Sequence, residues 1–490
     1  MAYLPCSTSN RLEISLIKSK SDLPSAFLTP RKIRYPCNVK SEMSGDGVDR
    51  HLLTCLTKSP SARHQQDLRY IQYYLHSLEA LQGLPEQCRT KLCADQSKCN
   101  ILNDVKPLPE ELCGDVDDDN SPKWRSAGLS AIAENSVALI LLAGGQGTRL
   151  GTLKPKGMYS IGLQSRKTLY QWQAEKITCL EKLAAVHGGK SNCTLPWYIM
   201  TSEHTRTATE DFFKSHNYFG RDANDVIIFE QNMIPVIDTN GKILLEKPYK
   251  ISRSPGGNGS VFEALKANGI FEDMCKRNIK HTFVYAVDNI LVKIADPTFL
   301  GFCINLDAES GAKVVDKIHP NEALGVFGIV NGKYKVIEYS EVSPEDAARV
   351  DSNGKLVYNA CNICIHYFRF DFLQKMANTY ESQMQFHIAK KKVPYVAENG
   401  DQVMPQINCN IQDNELTSRN SLHQLHHHFI TAAGGVVNKS QSAEITNGVH
   451  SSELKEYPIV CEISPLLTYE GENLEELCKG KVFESPVLLE

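Results

Sequence analysis

The chain has 490 residues, a formal net charge of −4 and sixteen cysteines. That length can bury more than one core. The near balance of charge argues against nucleic acid as the main partner, and no apolar run is long enough to span a membrane. The cysteines are scattered without paired metal spacing and read as reduced cytosolic thiols.

In chain order, residues 1–60 are basic and Ser-rich, with Pro24, Pro30 and Pro36 interrupting any amphipathic period. A disordered extension is the expectation there, with an organelle transit peptide as the alternative. Residues 61–132 are expected to form a helical N-terminal region and linker. Leu68, Ile71, Leu75, Leu78 and Leu81 recur at helical spacing before Gly83, and the acidic run Asp115–Asn120 reads as linker. A catalytic domain is expected over 133–395. Its apolar strands, Val137–Leu142, Trp197–Met200, Val226–Phe229 and Phe283–Val287, alternate with helical patterns such as Leu169 to Leu183. This predicts an α/β, Rossmann-like domain with a mainly parallel sheet covered on both faces. Val326–Val330, Asn331-Gly332 and Tyr334–Tyr339 predict a hairpin. Residues 396–490 are mixed in pattern and predict a small C-terminal domain.

The most informative motif follows the first strand: Gly144-Gly-Gln-Gly-Thr-Arg-Leu-Gly151, then Pro155-Lys156-Gly157. Glycines let backbone N–H groups approach phosphate oxygens, so Gly144, Gly145 and Gly147 are candidate nucleotide contacts. Arg149 and Lys156 can neutralise phosphate charge and are the candidate catalytic cations. The loop is not a Walker A motif, since it lacks Gly-Lys-Ser/Thr, nor a dinucleotide fingerprint, since Leu150 stands where Gly is required. Asp288 follows the apolar strand ending at Val287, where open α/β sheets place their ligands, and is the candidate metal carboxylate. Pro255-Gly-Gly-Asn-Gly-Ser260 opens a helical pattern through Phe262, Leu265 and Ile270; Gly257 and Asn258 can admit a base and ribose closely. His426-His-His428 diverge on a helix and read as ordinary helix residues.

These motifs, with Ser165-Arg-Lys-Thr-Leu169, Trp197–Ser202, Val287-Asp-Asn-Ile-Leu291, Glu338-Tyr-Ser-Glu341 and Cys461-Glu-Ile-Ser-Pro-Leu466, resemble the eukaryotic UDP-N-acetylhexosamine (UDP-N-acetylglucosamine) pyrophosphorylase family. The resemblance runs from about residue 65 to the end and keeps motif order. It implies a sugar-nucleotide pyrophosphorylase central domain. The implied reaction forms UDP-N-acetylglucosamine or UDP-N-acetylgalactosamine and pyrophosphate from UTP and N-acetylhexosamine 1-phosphate. It also implies Mg²⁺ (or Mn²⁺) as cofactor, cytoplasmic location, no membrane or nucleic-acid partner, and room for a homodimer. Arg149 and Lys156 take phosphate roles, Asp288 the metal, Gln231 the uracil, and Gly325, Glu338 and Asn362 the sugar.

The sequence departs from the family pattern in places. Gly256 replaces Asp and Ser260 replaces Gly. Cys361, Cys364 and Ile365 replace Gly, Ala and Asn, with Ile365 expected to remove a polar group at the site. Between Gln406 and Asp413 a family segment carrying Asn-Gly-Ile-Lys, a helix and a strand is missing, near 406–412. A catalytically impaired nucleotide-binding homologue or isoform is therefore one alternative, and a pyrophosphorylase for another UDP-sugar is a second.

Overall fold

The structure is a computed structural model. It describes residues 12–17, 105–147, 152, 154–236, 244–247, 250–322, 324–330, 332–337, 343–352, 354–379, 393, 395–396, 402–403, 415–439 and 457–490. The helical pattern from Leu68 to Leu81, Arg149, Glu338 and the junction at 406–412 lie outside the described residues.

One large sheet holds the molecule together. Its strands are β1 (Leu12–Ile17), β2 (Val105–Lys106), β3 (Cys113–Asp115), β4 (Val137–Leu142), β5 (Trp197–Thr201), β6 (Val226–Glu230), β7 (His281–Ala286), β8 (Ser310–Asp316), β9 (Val326–Val330), β10 (Lys333–Ile337) and β11 (Ala360–Arg369). The order is β3-β1-β8-β11-β7-β4-β5-β6, with β9 joined to β10, β11 and β2. Pairing is parallel through β7-β4-β5-β6 and antiparallel elsewhere, so the sheet is mixed. The expected parallel half is the part in which long apolar strands alternate with helices. The antiparallel half is built by the hairpin β9–β10 and by the long β11. Residues 12–17, within the stretch expected to be an extension, pair between β3 and β8.

β4 is buried at every position. Its side chains alternate faces, as a strand's must. Val137, Leu139 and Leu141 enter one core with α1 (Ser121–Ala133), α2 (Leu169–His187) and α6 (Pro297–Asn305). Ala138, Ile140 and Leu142 enter the other with α4 (Val261–Ala267), α5 (Ile270–Lys276) and α7 (Phe370–Thr379). Between them in sequence, α3 is Arg206–Ser215. The helical pattern expected through Phe262 and Ile270 is broken at Gly269, which takes φ +68° and starts a second helix. The acidic run is a tight turn: Asp115 Oδ1 accepts from Asp117 N at 3.1 Å and Asp118 Oδ1 from Asn120 N at 2.8 Å.

The C-terminal lobe packs α8 (Glu415–Ala432) against two parallel strand pairs, Val436–Asn438 with Val482–Glu484 and Cys461–Ile463 with Val487–Leu489. Ile430, Val437, Cys461, Ile463 and Leu474 form its core. The Ser165-Arg-Lys-Thr motif fastens this lobe to α2. Glu462, fully buried, accepts from Ser165 N at 3.0 Å and from the Ser165 hydroxyl; Lys167 Nζ donates to Ser464 Oγ at 3.1 Å. Among the described residues no helix is long and apolar enough to cross a membrane, and the described cysteines are free thiols.

Candidate active site

Strand order reverses at β4: the chain proceeds to β5 and β6 on one side and later adds β7 on the other. The crevice beyond the carboxyl ends of β4 and β7 is therefore the topological switch point, where open α/β sheets bind ligands. Gly144 and Gly145 leave β4 there, and Asp288 leaves β7.

The glycine loop does not run into a helix. It doubles back, with Gly147 N donating to Lys154 O at 2.9 Å, Thr152 N to Gly147 O at 3.1 Å, and a bridge between Gln146 and Pro155. Among the described residues the next α-helix begins at Leu169. Gly147 was expected to touch nucleotide, but its N–H is used inside the loop. A Cβ there would lie 2.7 Å from Thr152 Cγ2, so the turn itself needs glycine at this position. Gly145 is exposed, and no hydrogen bond among the described residues uses its N–H.

Lys156 begins a short 3₁₀ turn, Lys156–Met158. Gly157 seats that turn flat on the Tyr170 ring, where a Cβ would come within 2.2 Å of Cζ. The Lys156 ammonium lies 2.6 Å from Asp288 Oδ2, each side chain being 31% exposed. Burial opposes ionisation of Asp288, but the Lys156 charge and hydrogen bond outweigh it and hold the carboxyl at about 2. The strand end before Asp288 is braced by Gln173, whose Nε2 donates to Val287 O at 3.0 Å.

On the nucleotide side, buried Gln231 presses its Nε2 against Gly144, where a Cβ would stand 1.7 Å away. Its Oε1 faces Ser260 Oγ at 2.9 Å, and the same hydroxyl reaches Gly257 O at 2.7 Å. The Gly-to-Ser departure at 260 thus tethers the amide to the Gly257 loop. Gly257 takes φ +85°, which only glycine adopts freely.

On the sugar side, Asn362 N donates to Gly325 O at 2.9 Å, and Asn362 Oδ1 accepts from Cys364 N at 3.0 Å. A bulge in β11 makes this possible: Lys313 pairs with Ile365 and Val314 with Asn362, and Cys364 takes φ +57°. Cys364 Sγ lies 3.9 Å from Asn258 Nδ2. Ile365 does not face the cleft. Ile365 and Cys361 are both buried in the core with Ile363 and Tyr367, the alternate residues of β11.

A continuous line of contacts joins the candidates: Asp288, Lys156, Gly145, Gly144, Gln231, Ser260, Gly257, Asn258, Cys364, Asn362 and Gly325. Ser260 and Cys364 were visible in the sequence only as departures from a pattern. Their linking roles come from a shared hydroxyl and a bulge.

Among the described residues there is no cluster of three or more His, Cys, Asp or Glu side chains able to cage a metal. Asp288, kept ionised and half-buried, fits one oxygen ligand of a Mg²⁺ ion that takes its remaining ligands from substrate phosphates and water.

Strand order, glycine loop and the cation–carboxylate pair define a Rossmann-like nucleotidyltransferase. The profile of the family described as UTP--glucose-1-phosphate uridylyltransferase matches residues 86–412. The chain is 39% identical to the mouse UDP-N-acetylhexosamine pyrophosphorylase-like protein 1, over 92% of this chain and 97% of that one. It is 36% identical to the UDP-N-acetylglucosamine pyrophosphorylase of Saccharomyces cerevisiae, over 88% and 96%. A solved structure of a UDP-N-acetylglucosamine pyrophosphorylase from Entamoeba histolytica superposes with a TM-score of 0.69 at 31% identity, covering 79% of this chain and all of that one. The chain belongs to the eukaryotic UDP-N-acetylhexosamine pyrophosphorylase family.

Proposed function

We propose that this chain is a cytoplasmic uridylyltransferase that joins UTP to an N-acetylhexosamine 1-phosphate, forming UDP-N-acetylglucosamine or UDP-N-acetylgalactosamine and releasing pyrophosphate. The observation that carries this reading is the Lys156–Asp288 pair at the switch point, beside the open Gly145 N–H. The sugar phosphate oxygen attacks the α-phosphorus and pyrophosphate leaves. The nucleophile is already anionic, so no general base is needed; what the site supplies is position and charge.

Lys156, 3.6 Å through Cε from where a Gly145 side chain would start, serves the phosphates, with Arg149 as the second cation. Gln231 faces the uracil edge, with Gly257 and Asn258 along the nucleoside. Gly325, Glu338 and Asn362 receive the sugar. Because the Cys364 N–H occupies Asn362 Oδ1, the Asn362 amide offers its NH₂ group, a donor suited to a sugar oxygen. Asp288 would hold Mg²⁺ or Mn²⁺, which would offset charge at the reacting phosphoryl group. Pyrophosphate release from UTP with each N-acetylhexosamine 1-phosphate, and with glucose 1-phosphate as the competing sugar, tests the assignment. Turnover only with glucose 1-phosphate would replace it by a transferase for another UDP-sugar.

The segment missing between Gln406 and Asp413 favours a second reading, a nucleotide-binding homologue of low activity. UTP binding by calorimetry without pyrophosphate release would select it.

A further inference from the structure

A cavity of about 140 Å³ lies between α2, the 289–293 turn, the bulged end of β11 and the C-terminal lobe. Gly144, Gly145, Lys156, Gln231, Asn258 and Asp288 are not among its described lining residues. Most of its wall is apolar, including Val292, Val315, Ile363 and Ile463. Its size is close to the roughly 150 Å³ that admits a benzene ring in an engineered protein cavity.

Two of the polar groups on its wall have donor capacity that no acceptor among the described residues takes up. Trp172 and Lys176 stand one turn apart on the same face of α2 and both line the cavity. Trp172 is 1% exposed, and its indole Nε1–H has no hydrogen-bond partner among the described residues. Lys176 is 7% exposed; its Nζ donates to Val292 O at 3.2 Å, and it forms no ion pair among the described residues. An ammonium has three donors, so two remain. His426 stacks on Trp172 with ring centroids 5.8 Å apart. Its ring is already engaged by the backbone of the C-terminal lobe, with Nδ1 accepting from Ile463 N at 3.1 Å.

The other charges nearby are matched. Glu470 serves both Arg125, at 2.8 Å, and Lys293, at 3.0 Å. Asp296 pairs with Lys313. Among the described residues Lys176 alone of these cations pairs with no carboxylate. Burial and the nearby Lys293 charge pull its pKa down to about 8, the direction expected when no anion compensates. A buried cation beside an orphaned indole N–H costs stability unless an acceptor completes it.

We infer that this cavity is a binding site for a compact organic carboxylate, its apolar body against Val292, Val315 and Ile363 and its oxygens on Trp172 Nε1 and Lys176 Nζ. Its walls include Asn289, which follows Asp288, and Ile363, which follows Asn362. A ligand there braces the back of the substrate cleft at both ends.

Benzoate serves as the probe, with benzyl alcohol as its neutral counterpart and inorganic phosphate as the anion without an apolar body. Binding to the full chain is measured by calorimetry, with thermal melting as a second readout. Benzoate is expected to bind and raise the melting temperature, and benzyl alcohol to bind at least tenfold more weakly. Lys176→Met, which keeps the volume, should weaken benzoate at least tenfold, and Trp172→Phe severalfold. Melting of each variant without ligand verifies its fold. Equal binding of benzoate and benzyl alcohol, or parental benzoate affinity in Lys176→Met, would make the cavity an apolar void and overturn the inference. Phosphate binding tighter than benzoate, lost in Lys176→Met, would overturn the carboxylate in favour of a free phosphate.

Discussion

Lys156 and Asp288 occupy each other at 2.6 Å before any substrate arrives. One comes from the end of the glycine loop and the other from the end of β7. On the proposed reading Lys156 serves a phosphate and Asp288 a metal ion, so binding would separate them. The pair keeps a loop cation aligned and a carboxylate ionised, and it makes the two roles interdependent.

Replacing Lys156 by Met therefore has two effects. Turnover should fall by roughly two orders of magnitude or more, as for loss of one electrostatic donor. The Asp288 carboxyl, now without its partner charge, should titrate well above about 2, a change that NMR of its side-chain carbon would follow. Arg149→Ala should lower turnover on the same scale. Near-parental turnover in a folded variant would remove the residue concerned from the phosphate end.

Asp288→Asn keeps the shape but offers a neutral, weaker oxygen ligand. The Mg²⁺ concentration for half-maximal turnover should rise by roughly tenfold or more, the scale on which altered metal surroundings act. A superimposable Mg²⁺ titration would show that Asp288 serves only to hold Lys156.

Ser260 fixes which end of the Gln231 amide is tethered. Uracil and cytosine differ in donor and acceptor at one ring edge, and a free amide could turn to suit either. UTP should compete better than CTP, and Ser260→Gly should shrink that preference by roughly tenfold, the worth of one hydrogen bond of about 1.4 kcal/mol. Competition assays with both nucleotides on both proteins decide the point; equal competition in the parent would exclude base reading by Gln231.

Acid should destabilise the fold well above the carboxylate range. Burial pushes His366 down to about 4 and His426 down to about 3, from the ordinary 6.5. Their folded values are depressed, so the unfolded chain binds protons first as pH falls. Stability present above 6.5 should be lost as pH falls from 6.5 through about 4 for His366 and about 3 for His426, at up to about 1.4 kcal/mol per pH unit for each group. Urea midpoints at pH 7 and pH 5 test this; identical midpoints would mean that neither imidazole stays neutral in the folded state.

Insertion of the family's segment after Gln406 should raise specific activity, because the resemblance implies that it carries a phosphate-end lysine. Assays of both versions side by side check this, and equal activity would make the segment dispensable.

The parallel half of the sheet was readable because each strand is an apolar run buried on both faces, as β4 is. Gly144, Gly145, Lys156 and Asp288 come together because the glycine loop and the aspartate both follow apolar strands. The facing of Ile365 was not read: it stands three residues from Asn362, and alternation along β11 sends it with Cys361, Ile363 and Tyr367 into the core. That the Gly147 N–H closes the turn was not legible, because a glycine that closes a turn looks the same in sequence as one that admits a ligand. The helix pattern at Phe262 to Ile270 concealed a break, because apolar spacing carries across Gly269. Nothing local in Ser165-Arg-Lys-Thr announces that its partner is Glu462, distant in sequence and fully buried.

That last contact bears on what keeps the lobe closed. Cys461–Ile463 pairs with Val487–Leu489. Glu462 must find Ser165 before its charge can leave water, and Gln173 of α2 braces Val287 on the other side of that helix. Cutting away Val487–Leu489 would leave Cys461–Ile463 an open edge, an invitation to pair with another chain, and would loosen the carboxylate that anchors the lobe.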